Sequence, residues 1–217
     1  MSRKLPPSAS IATPVEGAKL HAPSAERNAD HIAALLKLHG PAVGQALEIA
    51  SGTGQHIITF AAALPDLRWQ PTDIAADRLR SIDSYVQSSG VRNVKPAHLL
   101  NATTAGWSAD HGGQDLIVVV NLLHLISAAE ARIVLAEAAQ ALSPTGAMLI
   151  YGPFKRAGAL TSEADQRFDA ELREADPVIG YKDTQEMQGW FADVGLTAIS
   201  QDMPANNLAF IARKTTP

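Results

Sequence analysis

The stretch Ala46-Leu47-Glu48-Ile49-Ala50-Ser51-Gly52-Thr53-Gly54-Gln55-His56 limits the folds open to this chain more than any other. A short apolar run of strand type, broken by Glu48, enters a Ser-Gly-Thr-Gly turn. The helical pattern Ile57, Ile58, Phe60, Ala61, Leu64 follows. Strand, glycine turn and helix form the first half of a nucleotide-binding βαβ unit. The two glycines allow close backbone approach to a ligand, and the start of the helix presents unpaired N–H groups to the same spot.

The ligand is narrowed by the residues around the turn. A dinucleotide fingerprint requires a third glycine where this chain has Ile57. The helix N-terminus in that fold faces a pyrophosphate, and the carboxylate of Glu48 repels such an anion. An ammonium group is attracted instead. S-adenosylmethionine (SAM) carries a positive amine and no phosphate, so the turn favours SAM over NAD. Asp73 ends a second strand, Arg68 to Ile74, 19 residues after Gly54. A βαβ unit places its ribose-binding carboxylate there, although Asp also caps helices well.

Further along, Ser24 starts a helix to His39, closed by Gly40-Pro41. On it Asn28, Ile32, Leu35 and Leu36 share a face, with Arg27 and His31 beside it. Asn28 is either a packing residue or, with Arg27, a ligand contact. A third strand from Val94 to Leu100 ends at Asn101-Ala102, where an amide can read a base edge or simply close a turn. The β-branched run Asp115 to Val120 reads as a buried parallel strand. It delivers Asn121 and His124 to the crevice beyond its carboxyl end, His124 being a candidate general base or a structural histidine. A fifth strand, Ala147 to Tyr151, places Tyr151 and Phe154 at the same rim, where His21 is a further candidate. Tyr151 and His124 are the candidate catalytic residues. Residues 155 to 183 break the alternation and hold Ser162-Glu163-Ala164-Asp165, a capping box for a helix bearing Phe168 and Leu172. They form either a lid or a surface ornament. A last helix from Thr184 and the strands Leu196 to Asp202 and Leu208 to Arg213 complete the chain.

At 217 residues the chain is one domain, with residues 1–23 expected to be loosely ordered and 24–217 folded. A net charge of −4 without a basic run argues against nucleic acid as partner. The longest apolar run, Leu116 to Ile126, is too short to span a bilayer, and Arg3 and Lys4 are too few for a targeting peptide. A cytoplasmic protein is expected, with no membrane partner and no metal. With no cysteine, disulfides and thiolate chemistry are excluded.

Six separated segments resemble the methyltransferase-like protein 26 family: Ser24-Ala25-Glu26-Arg27-Asn28, Leu47 to His56, Trp69-Gln70-Pro71-Thr72-Asp73, Tyr151-Gly152-Pro153-Phe154, Asp176-Pro177 and Met203-Pro204-Ala205-Asn206-Asn207. The resemblance covers nearly everything from Ser24 onward. It implies an α/β, Rossmann-like class I methyltransferase fold with a seven-stranded, mostly parallel sheet in which the last strand is antiparallel, the final hairpin after Thr184 supplying that edge. It also implies SAM as cofactor, with Glu48, Ser51, Gly52 and Gly54 around its methionine part. Asp73 would hold the ribose, Ile74 and Ala102 would flank the adenine, and Asn101 would bond its edge. Arg27, Asn28, Ala50 and Asn121 complete the expected cofactor set. The partner implied is a small-molecule methyl acceptor.

Overall fold

A computed structural model describes residues 5–215. Arg3 and Lys4 lie outside the described residues. The described residues form nine strands and six α-helices: β1 (Thr13–Pro14), β2 (Leu20–His21), α1 (Pro23–His39), β3 (Gly44–Ile49), α2 (Gln55–Ala63), β4 (Leu67–Asp73), α3 (Ala76–Ser89), β5 (His98–Leu99), β6 (Gln114–Val120), α4 (Ala128–Ala141), β7 (Leu142–Pro153), α5 (Glu163–Ala175), α6 (Thr184–Asp193), β8 (Leu196–Asp202) and β9 (Asn207–Lys214). Seven strands form one sheet in the order β5-β4-β3-β6-β7-β9-β8. All neighbours up to β7 are parallel, and β9 runs antiparallel to both β7 and β8. This is the class I methyltransferase sheet.

The apolar pattern explains the layering. Ile117 and Val119 of β6 face the same side as Leu47, Ile49, Met148 and Ile150, packed with Val134, Ala138, Met187 and Phe191 of α4 and α6. Leu116 and Val118 face the other side, with Leu149 and Ile211, against Ile32, Leu36, Ile57, Phe60 and Ile82 of α1, α2 and α3. Each fully buried Val or Ile there contributes about 1.5–3 kcal/mol. A two-sided core of this kind is what a continuous β-branched run requires. Capping boxes fix the starts of α4, through Ser127 and Glu130, and α6, through Asp183 and Glu186.

Several boundaries depart from expectation for identifiable reasons. The third strand is reduced to His98–Leu99, paired with Thr72 and Asp73, plus an isolated bridge from Val94 to Trp69. Pro96 lies between them and has no N–H for a ladder. β7 starts at Leu142, not Ala147, because Leu142 pairs with Gln114 across a register shift. Ser162 caps α5 and accepts from the Asp165 N–H, but the second half of the box is missing. The Asp165 carboxylate accepts instead from Thr161, Ser162, Tyr181 and Asn206. An Asp is one methylene shorter than the Glu that reaches back to a cap N–H.

The N-terminal segment, expected to be loose, is tied down from Leu5 onward. Ala9 is buried with Leu172, Ile179 and Tyr181, and β1 pairs with β2. Two buried hydrogen-bonded links then join it to the glycine turn. The Leu20 N–H donates to Ser81 Oγ at 2.8 Å, and that hydroxyl donates to the Thr53 carbonyl at 2.6 Å. Gln55 Oε1 accepts from the Ala22 N–H at 2.7 Å and from Thr53 Oγ1 at 2.8 Å. No helix among the described residues is long and apolar enough to cross a membrane.

Candidate functional site

The carboxyl ends of β3, β4 and β6 open into one cavity of about 740 Å³, roofed by the N-terminal segment and α5. Such a crevice is where open α/β sheets bind ligands. Its walls include Arg27, Asn28, Ala50, Ser51, Gly52, Asp73, Ile74, Asn121 and His124, residues drawn from four separate places in the sequence.

The glycine turn is held in an unusual backbone state. Ala50 has φ +54° and Asn121 φ +54°, each at the end of its strand. Left-handed backbone costs a non-glycine residue roughly 1–2 kcal/mol, so both strand ends are bent at some expense toward the cavity. A Cβ on Gly52, at φ +61°, would meet only the Ala50 carbonyl oxygen at 4.0 Å, whereas a Cβ on Gly54 would lie 2.7 Å from the Ile82 Cα. Gly54 is thus required for docking α2 on α3 and does not line the cavity. Ser51 is fixed between strands. Its N–H donates to the Thr72 carbonyl, and its hydroxyl donates to the Glu48 carbonyl and accepts from the Thr72 N–H.

Asp73 bridges two loops. Its Oδ2 accepts from the Gly52 N–H at 2.9 Å and its Oδ1 from the Ala75 N–H at 3.0 Å. The bond to the Ala75 N–H turns the chain toward α3, whose N-cap is Ala75, and Asp73 also lines the cavity. Burial raises its pKa, opposed by the N–H bonds from Ala75 and Gly52.

Glu48 is buried at the end of β3, and neither carboxylate oxygen has a hydrogen-bond partner. Burial pushes its carboxyl up to about 8, with Ser51 pulling the other way and the Asp73 charge adding to the rise. It lies behind the cavity wall, not on it. His56, on the wall at the start of α2, has a comparable vacancy: its ring stacks on Phe60 at 5.4 Å and its Nε2 is buried without a partner. Burial lowers its pKa to about 4, opposed by a bond to the Ala25 carbonyl. Two buried acceptors beside a cavity that Arg27 and Asn28 also line suit a ligand with both a cationic and an anionic group.

Five expected residues are placed elsewhere or differently. Tyr151 is buried in the core on the α1 side of the sheet, and Phe154 packs edge-on against Phe210 on the opposite side. Neither lines the cavity, because each packs into the core layer on its own side of the sheet. Burial pushes the Tyr151 phenol up to about 12, opposed by Arg27, so it stays protonated. Asn101 closes its own turn, its Oδ1 accepting from the Thr103 N–H and hydroxyl, and Ala102 is buried against Trp107, whose ring N–H donates to the Ala102 carbonyl. His21 pairs with Glu26 at 3.1 Å. His124 does reach the cavity, on a single 3₁₀ turn after β6. Burial, then the Lys182 ammonium, lowers its pKa to about 3, so it is neutral across the physiological range.

Other wall residues are not apparent from the sequence. Phe168 and Tyr181 meet His124 only because α5 and the segment before α6 fold back over β6. Arg78 enters from α3, and Asn207 from the final hairpin.

Solved structures share this fold. An O-methyltransferase family protein from Burkholderia thailandensis aligns with a TM-score of 0.76 at 18% identity, over 89% of this chain and 58% of that one. Mitomycin 7-O-methyltransferase MmcR aligns with a TM-score of 0.75 at 15% identity, over 88% and 54%. CalO1, a methyltransferase in calicheamicin biosynthesis solved in an SAH-bound form, aligns with a TM-score of 0.67 at 16% identity, over 85% and 54%. The chain thus spans just over half the length of these proteins, and what it shares with them is the Rossmann-like methyltransferase fold. Residues 19–214 match a single family along almost their whole extent, and the chain belongs to that family, described as a protein of unknown function (DUF938).

Proposed function

We propose that the protein is a SAM-dependent methyltransferase acting on a small molecule. The observation that carries this reading is the pairing of Asp73 with Gly52 beside the unpartnered carboxyl of Glu48. A carboxylate ready for ribose hydroxyls and a buried acid without a cation are the two requirements of a ligand that joins adenosine to an amino acid. A pyrophosphate would face Glu48 instead. The motif resemblance to the methyltransferase-like protein 26 family and the likeness to SAM-dependent structures support the same reading.

In it, Arg27 and Asn28 meet the carboxylate of the methionine part, and Glu48 and His56 provide its ammonium with negative charge and a lone pair. Asp73 holds the ribose, and Ile74 covers one adenine face. Asn121, strained at the end of β6, faces the reacting centre. Bound SAM supplies an electrophilic methyl group on a sulfonium. The chain's task is then alignment and exclusion of water. His124 accepts a hydrogen bond from the acceptor molecule, and its low pKa makes it a weak proton acceptor near neutrality.

The test is incubation with isotopically labelled SAM and a metabolite extract, followed by mass analysis. Label appearing in a low-mass compound is the expected result. Cofactor binding without any transfer of label would leave a SAM-binding protein that does not turn over.

A further inference from the structure

Building on the methyl-transfer reading, we propose that the end of the cavity beneath α5 is the acceptor subsite, and that it takes a flat, uncharged aromatic molecule. His124, Phe168 and Tyr181 all line this end. Their rings meet edge to face: His124–Phe168 at 5.7 Å and 61°, His124–Tyr181 at 6.2 Å and 66°, Phe168–Tyr181 at 6.2 Å and 72°. Rings set this way present faces and edges that a further ring can join with the same geometry. Phe168 is the half-buried member, and so keeps surface available to a ligand.

The charges at this end are engaged by the protein. Asp165 accepts from the Tyr181 hydroxyl at 3.1 Å, from the Thr161 and Ser162 hydroxyls at 2.7 Å each, and from Asn206 at 3.3 Å. Lys182 donates to the carbonyls of Ile126 and Gly180. Asp169 is bonded by the Tyr181 N–H and by Arg173, with Lys155 at 3.8 Å. These contacts hold the ring cluster in place. A charged acceptor would lose its hydration there without gaining an unengaged counter-charge, whereas a neutral ring buries apolar surface. The opposite end, with Arg27, Arg78 and Asp73, has the charged side chains suited to the cofactor.

The test is calorimetry on the full chain saturated with S-adenosylhomocysteine (SAH), titrated with 2-naphthol, naphthalene-2-sulfonate, cyclohexanol and spermine. The expected result is that 2-naphthol binds and the other three bind at least about tenfold more weakly. Phe168→Ala should weaken 2-naphthol about tenfold or more while SAH affinity is unchanged. Phe168→Tyr, which keeps the ring, should restore it. Equal binding of spermine or the sulfonate, or no effect of Phe168→Ala, overturns the subsite. Binding of SAH without binding of 2-naphthol overturns the subsite alone. Failure of the wild type to bind SAH overturns the methyl-transfer reading and the subsite with it.

Discussion

A carboxyl buried with both oxygens unpaired, as at Glu48, destabilises a fold unless it keeps its proton or meets a cation. Glu48→Gln removes the ionisation and keeps the shape. At pH 8 and above, the variant without ligand should melt a few degrees higher than wild type. Its SAH affinity should fall about tenfold, since a negative charge behind the cavity wall no longer attracts the ligand ammonium across a low-dielectric site. Calorimetry and a thermal melt on the same preparation check both. At this scale the sequence anticipated which residues meet: Ser51, Gly52, Asp73 and Asn121 all line one cavity. Tyr151 was not legible, because a run apolar at every position has no alternation from which to assign a face. Asn101 and Ala102 reach toward an adenine only by analogy, and here the Asn makes the turn that its short amide also favours.

Among the elements, the N-terminal segment differs most from its composition. Proline, serine and alanine suggest a loose lead, yet Ser81 and Gln55, more than thirty residues away, supply the partners that hold it. No local pattern could have shown this. Ser81→Ala leaves the Leu20 N–H and the Thr53 carbonyl without these side-chain bonds and should cost about 1–3 kcal/mol in urea unfolding. Amides around β2 should then exchange faster with solvent, while those of β6 are unchanged. Unaltered exchange at β2 would mean that the segment is held by other contacts. We propose that residues 155–183, whose helix α5 roofs the cavity, act as a lid. Their amides should gain protection when SAH and an acceptor bind together. Identical exchange with and without both would make the insertion a fixed part of the wall.

For the molecule as a whole, three buried groups shape the dependence of stability on pH. Unfolded His56 and His124 protonate below their ordinary 6.5, but in the fold only near 4 and 3, so acid below about 6.5 favours unfolding. Unfolded Glu48 ionises above 4.5, but in the fold only near 8, so rising pH through that window also favours unfolding. Each group changes stability by about 1.4 kcal/mol per pH unit within its window. Of these three groups, the two histidines outweigh Glu48 between 4.5 and 6.5, and Glu48 alone acts above 6.5. Stability without ligand should therefore peak near pH 6.5, as a series of urea unfolding curves would show. A plateau from 6.5 to 8 would mean that Glu48 is already ionised in the fold. The strands, the helices and the final hairpin were legible from periodicity and turn residues, whereas the seven-stranded sheet they build was implied only by the family resemblance. The cluster of His124, Phe168 and Tyr181 was not, because it is formed by chain reversal across more than forty residues.

The most direct measurement is calorimetric titration of the unmodified protein with SAH and, separately, with NAD. SAH should bind in the micromolar range with release of a proton near pH 7, as the ligand ammonium displaces the one held by Glu48, and Asp73→Ala should weaken it by about 1.5–3 kcal/mol. NAD should give no heat of binding. Binding of NAD in preference to SAH, or SAH affinity indifferent to Asp73→Ala, would contradict the assignment of this cavity to SAM.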